Sequence, residues 1–170
     1  MHRAILLAPL FLAACTTGDA GARDPAPAYE AIAFEIKSWG RPIDGWDIRA
    51  DGTARHVKRV SDEGAGFNTY RLEHREFAVD QATWERLSAL AAQLPQPRPS
   101  RSECDELATD MPYGALRLST AGSEEEIRFD LGCLDVPYQA FVGQLRAMDE
   151  LVTGLAEKYQ PTRIERVGGS

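Results

Sequence analysis

Three cysteines, Cys15, Cys104 and Cys133, and two histidines beyond the first turn of chain, His56 and His74, are the residues whose chemistry is easiest to name. A redox site usually places its two cysteines two residues apart, and zinc sites reuse the same short spacing; neither pattern occurs here. A zinc site would instead need the fold to bring His56 and His74 onto Cys104 and Cys133. Nucleophilic hydrolysis wants a histidine beside a serine or cysteine, and no Gly-x-Ser-x-Gly elbow is present. Both histidines therefore read as strand-surface or partly buried side chains. Carboxylates crowd Cys104, with Glu103, Asp105, Glu106 and Asp110 close by. A glycosidase needs only two carboxyls at a fixed separation, but spacing along a loop does not supply one. These residues read as a solvated acidic loop, and Glu124-Glu125-Glu126 as a charged hairpin edge that discourages strand-to-strand association. No catalytic residue, metal or cofactor is assigned.

Two segments suit recognition better than catalysis. Trp39-Gly40-Arg41-Pro42 joins two strands, where a tryptophan beside an arginine could stack on a sugar or a peptide. Arg55-His56-Val57-Lys58-Arg59, joined by Arg71 and Arg75, could make a basic face toward an anionic lipid or glycan. Register decides whether those cations share a face, since a one-residue slip turns every side chain over. The chain as a whole is acidic, at −7 over 170 residues, which argues against a nucleic-acid partner. Its 44% hydrophobic and 26% charged residues are those of an ordinary globular protein with one domain.

The N-terminus carries the most specific signal. Met1-His2-Arg3 is a short positive start, and the uncharged run Ala4 to Leu12 is far below the ~20 residues a membrane-spanning helix needs. Leu12-Ala13-Ala14-Cys15 then resembles the lipobox of bacterial lipoprotein precursors. The resemblance implies a signal peptide over 1–14, cleavage before Cys15 and lipid on its thiol. Thr16, and not an aspartate, follows the cysteine, which by resemblance to Gram-negative sorting implies the periplasmic face of the outer membrane. Residues 16–28 are small, polar and Pro/Gly-punctuated and read with Cys15 as a flexible tether, 15–28, with a reach of roughly 20 Å. With Cys15 assigned to lipid and the domain in an oxidising compartment, Cys104 and Cys133 are left to form a disulfide.

What must position these residues is a single α+β domain over 29–160. Ile32, Phe34 and Ile36 alternate on one strand, Trp46 and Ile48 on the next, and Ala50-Asp51-Gly52-Thr53 turns the chain into a third strand, Ala54 to Val60. Asn68 to Phe77 alternates again, with Tyr70 and Leu72 opposed to Arg71 and Glu73. Asp80 opens a helix with Trp84, Leu87, Ala91 and Leu94 on one stripe, stopped by Pro95. Leu116 and Leu118, then Ile127, Phe129, Leu131 and Cys133, define a hairpin across Ala121-Gly122-Ser123. A second helix starts near Asp135 with Pro137 in its first turn and carries Phe141, Leu145, Met148, Val152 and Leu155, ending before Pro161. The expected order is ββββ-α-ββ-α: an antiparallel sheet of about six strands with two amphipathic helices packed on one face, and a frayed tail over 161–170. The Asp-Gly hairpin followed by a strand and an amphipathic helix, over roughly 29–95, resembles small uncharacterised bacterial envelope domains of the same hairpin-then-helix plan. That resemblance implies a fold and no activity.

Three functional readings follow. A non-catalytic accessory lipoprotein would bind another envelope component, protein or anionic glycan or lipid, through Trp39, Arg41, Arg55, Lys58, Arg59, Arg71 and Arg75. A periplasmic enzyme inhibitor would present a rigid loop around Cys104. A hydrolase would hold two carboxyls of raised pKa in one polar cleft.

Overall fold

The computed structural model describes residues 28–168 apart from 63 and 65. The expected signal peptide, Cys15 and nearly all of the tether lie outside those residues. Strands β1 (Tyr29–Ser38), β2 (Arg41–Arg49), β3 (Thr53–Val60) and β4 (Tyr70–Ala78) precede helix α1 (Gln81–Ala92). A single 3-10 turn, Arg101–Glu103, leads to β5 (Tyr113–Thr120), β6 (Ser123–Asp130), helix α2 (Val136–Ala156) and a last strand, β7 (Arg163–Val167). All pairings are antiparallel, in the order β6-β5-β1-β2-β3-β4-β7.

The architecture is thus α+β with one antiparallel sheet, but the sheet has seven strands where the sequence suggested about six. The seventh comes from the segment expected to fray. Thr162 donates its backbone N–H to His74 O at 2.8 Å, and β7 then pairs with β4 from His74↔Arg163 to Tyr70↔Val167. Without it the edge of β4 would be a bare row of donors and acceptors; the pairing leaves instead a short, charged strand at the edge, which discourages association with another chain.

Register explains the core. Antiparallel partners point to the same face, so Leu118, Ile32, Ile48, Ala54 and Phe77 form one row across the strands. The next row is Ile127, Leu116, Phe34, Trp46, His56 and Arg75. Both rows, up to Trp46, sink beneath the helices, whose buried stripes are Trp84, Leu87 and Ala91 on α1 and Phe141, Leu145, Met148 and Val152 on α2. The ring of Phe34 stacks between Trp46 and Phe129, with centroids 5.6 and 5.4 Å apart. Asp80 caps α1 by accepting from Thr83 N at 2.8 Å, as its position before the apolar stripe suggested.

No described helix packs on the opposite face of the sheet. There β2, the middle strand of the seven, presents Gly45 and Asp47, flanked by Glu35 and Ala33 from β1 and by Val57 and Arg55 from β3.

Candidate functional site

The two faces divide the cations that the sequence grouped together. Arg55 and Arg59 alternate onto the open face, whereas Lys58, through its partner Asp44, and Arg71 and Arg75, through Val60 and His56, lie on the helix face. Each helix-face cation is also engaged. Lys58 Nζ meets Glu157 Oε1 at 2.6 Å. Glu73 accepts from Arg71 at 3.1 Å and from Arg75 at 2.7 Å, and Arg71 also pairs with Asp62. The hydrogen bond from Arg75 and then that from Arg71 hold the Glu73 carboxyl below the usual range. The expected basic face therefore does not assemble: strand alternation sends its members to opposite sides and carboxylates neutralise the helix-side group.

Helix-face register also buries His56 completely, in an apolar row where the sequence suggested a surface or partly buried position. Its Nε2 donates to Asp44 Oδ1 at 2.8 Å, while Nδ1 has no partner among the described residues. Asp149 from α2 sits beside this pair and accepts from Trp46 Nε1 at 3.0 Å and Thr153 Oγ1 at 3.4 Å. Burial, then the nearby charge of Asp44, push the Asp149 carboxyl up from the usual aspartate range. No serine, threonine or cysteine side chain is hydrogen-bonded to His56 among the described residues, so the imidazole has no nucleophile to activate.

The raised pKa of Asp149 fixes the sign of a pH effect. The folded chain holds the proton more tightly than the unfolded chain, so this contribution is whole below the unfolded aspartate value, about pH 4, and is lost as pH rises through the folded value. Asp149→Asn keeps an oxygen for Trp46 Nε1 and removes the charge. It should raise Tm at pH 7 by a few degrees and flatten the pH dependence above about pH 4. A Tm lowered equally at pH 4 and pH 7 would contradict the assignment.

The disulfide is present: Cys104 and Cys133 are bonded, with Cα atoms 5.8 Å apart. The Asp135 carboxylate lies beside the two sulfurs. Its oxygens accept from Asp105 N at 2.9 Å and Glu106 N at 3.0 Å, so thiols and carboxylate alike are already committed. Backbone bonds from Ala108 N to Gly132 O and from Leu134 N to Glu106 O complete the stitching. His74 is on the open face, with Nε2 3.3 Å from Glu165 and Nδ1 3.0 Å from Arg163. The two histidines thus sit on opposite sides of the sheet and do not converge on one metal.

What the open face holds is a trough across the central strands. Two adjoining hollows, of about 380 and 450 Å³, share Asp47, Arg55 and Val57. Gly45 deepens the floor at the sheet's centre, where a Cβ would come within 3.1 Å of Phe34 O. Glu35, Lys37 and Arg117 wall one end, bound to one another at 2.7 and 2.9 Å; His74 and Arg163 wall the other. Asp47 and Arg55 face each other across strands yet make no hydrogen bond or close ion pair among the described residues. Burial raises the Asp47 pKa, against the opposing pull of Arg55 and then Arg49. Among the described residues the two carboxyls shifted upward are Asp47 and Asp149, which stand on opposite faces of the sheet.

Trp39 and Arg41 separate as well. Trp39 and Gly40 form a two-residue turn with φ of 51° and 73°, the mirror-image geometry of tight hairpins. The Trp39 ring is 67% exposed. The guanidinium of Arg41 turns away onto Phe67, 5.0 Å from the ring centroid, and Arg59 covers Phe67 and Tyr70 at 5.1 and 4.3 Å.

The class defined by these features is a two-layer α+β domain with an uncovered, mixed-charge sheet face. No protein-family model, curated protein or solved structure matches the chain. No described helix is long and apolar enough to cross a membrane.

Proposed function

We propose that this chain is a lipid-tethered binding protein of the bacterial envelope, held at the membrane through Cys15 and presenting the open sheet face to another envelope protein. The observation that supports a binding role most directly is the trough at the centre of the sheet, where Asp47 and Arg55 lie side by side with their charges unspent. Many other charges on the described surface are matched within the chain, as Glu73, Lys58, Glu35 and Arg117 illustrate. A free carboxylate beside a free guanidinium suits a partner offering both signs, which is what a polypeptide segment carries; a uniformly anionic glycan or lipid would meet Asp47 and Glu35 as repulsion. The domain does no chemistry of its own on this reading. Lipidation of Cys15 rests on the sequence motif, and the location on the periplasmic face of the outer membrane rests on Thr16 in the position that follows it.

The test is site-specific photocrosslinking in intact cells. A crosslinker at Arg55, exposed in the trough, should capture a discrete protein, and one at Glu150, exposed on α2, should not. Asp47→Lys combined with Arg55→Glu should weaken capture by a probe placed at the neighbouring Glu76, and more so at low salt, because exposed charges are screened beyond about 8 Å at physiological ionic strength. Equal capture from both faces would reject the open face as the interface. Hydrolysis of a peptide or peptidoglycan by the purified domain, abolished by Asp47→Asn, would replace the binding reading with an enzymatic one.

A further inference from the structure

A second hollow lies away from the trough, at the tip of the β1–β2 hairpin, and its chemistry is different. It has a volume of about 300 Å³ and is lined by Trp39, Gly40, Asp110, Met111 and Tyr113. Three of its side chains are large, apolar and open to solvent: Trp39 at 67%, Met111 at 42% and Tyr113 at 41%. Tyr113 Oη accepts from Gly40 N at 3.1 Å and so fixes the hairpin tip against the start of β5.

The hairpin sets a positive φ at position 39, but not a tryptophan there. Among the described residues only Trp39 and Asp110 combine a side chain with positive φ, at 51° and 62°, and both line this one hollow. A bulky aromatic is a poor occupant of a left-handed turn position, which glycine or asparagine takes at much lower cost. The Trp39 ring is not repaid by burial either. Strain of this kind persists where it serves a site.

The inventory of groups says what the site would hold. It offers two aromatic rings, a thioether and one carboxylate, and no cationic side chain, since Arg41 is turned onto Phe67. Asp110 has no hydrogen bond or ion pair among the described residues. Side-chain N–H donors for sugar hydroxyls or for an anion are missing except for the Trp39 indole. Aromatic faces next to a lone carboxylate instead match a cation that needs no acceptor geometry, the chemistry of quaternary ammonium recognition.

We propose that the Trp39–Asp110–Tyr113 hollow binds a small methylated ammonium solute, with the rings facing the methyl groups and Asp110 supplying the charge. The site is independent of the trough and of the proposed tether. Two or three exposed contacts of this kind give a dissociation constant of roughly tens of millimolar.

Trp39 makes the test direct, because Trp46 and Trp84 are only 4% and 7% exposed and their emission is shielded. Choline chloride titrated into the full domain should shift the emission of the exposed tryptophan saturably, and 3,3-dimethylbutanol, its neutral isostere, should not. Asp110→Asn should weaken binding by about three- to fivefold. Trp39→Gly should abolish choline binding, read from the amide NMR shifts of Met111 and Tyr113, while raising Tm, since glycine relieves the left-handed turn; this separates loss of the site from loss of the fold. An equal response to the neutral isostere would overturn the proposal, as would N-acetylglucosamine binding where choline does not. Phosphatidylcholine vesicles acting more strongly than equimolar choline would overturn the assignment to a free solute.

Discussion

Cys15→Ser should convert a membrane-bound protein into a soluble or uncleaved one, the largest single effect expected of any substitution in this chain. The argument is one of chain counts. Each buried methylene contributes about 0.8 kcal/mol, so one acyl chain binds marginally and reversibly while two or three hold a protein almost indefinitely. No described helix is long and apolar enough to cross a membrane, and the open sheet face carries charges of both signs. Fractionation of cells expressing the wild type and the serine variant would settle it. A variant that stays with the membranes at the size of the mature wild type would remove the lipid from the account.

The second large effect is on stability. Replacing Cys104 and Cys133 together with serine should destabilise the domain by about 3.5 kcal/mol on the chain-entropy model, for the 29-residue separation they bridge. The corresponding fall in Tm is on the order of 10 °C. The loop they close is bound to the body by other means, through the Asp135 carboxylate, the Leu107↔Cys133 bridge and a hydrogen bond from Gln139 Nε2 to Cys133 O. Those contacts hold the folded chain; the disulfide acts mainly on the unfolded chain, whose freedom it limits. Reducing agent should therefore lower the Tm of the wild type and leave that of the double-serine variant unchanged. Matching melting curves for the two proteins without reductant would show that the bond contributes nothing.

Much of the fold was legible because strand and helix periods write themselves into apolar spacing. Ile32 and Phe34, Trp46 and Ile48, and Leu116 and Leu118 all alternate and are all buried on the helix face. Asp80 caps α1 through its carboxylate, and Pro137 sits in the first turn of α2, where its fixed φ suits a helix start. Strand β7 was not legible: Arg163 to Arg166 are exposed on an edge strand, so no core face imposes a period on them. Its reason for existing is the unpaired edge of β4, about ninety to a hundred residues earlier in the chain.

The site failed to show itself for a related reason. Whether Arg55 and Lys58 share a face depends only on the spacing of three residues, which puts them on opposite sides once a strand is accepted. The burial of His56 depends on Asp44, twelve residues earlier, and on α2 descending over both. Long-range register of that kind leaves no local mark. The trough was signalled only by Gly45, a glycine in the interior of a strand, where a missing side chain usually marks a close approach or a hollow. Trp39 was singled out correctly as a loop aromatic, but its pairing with Arg41 was not what the turn built.

Because β1 lies beside the central strand and pairs along its length on both sides, its ends define two poles. Tyr29, where the proposed tether from Cys15 would enter, lies at one pole with the Asp51-Gly52 and Ala121-Gly122 turns; Trp39, at the end of ten residues of extended chain, lies at the other, about 30 Å away. The exposed rings of Trp39, Tyr113 and Phe67 gather at that far pole, since Lys37 pairs with Tyr113 and the β3–β4 loop turns there. Anchored by its N-terminus, the domain would hold its aromatic end outward, roughly 50 Å from the lipid surface once the reach of the tether is added. Its ligand would then be met at the outer limit of the layer the protein can sweep, and the two plain turns would be left to face the membrane.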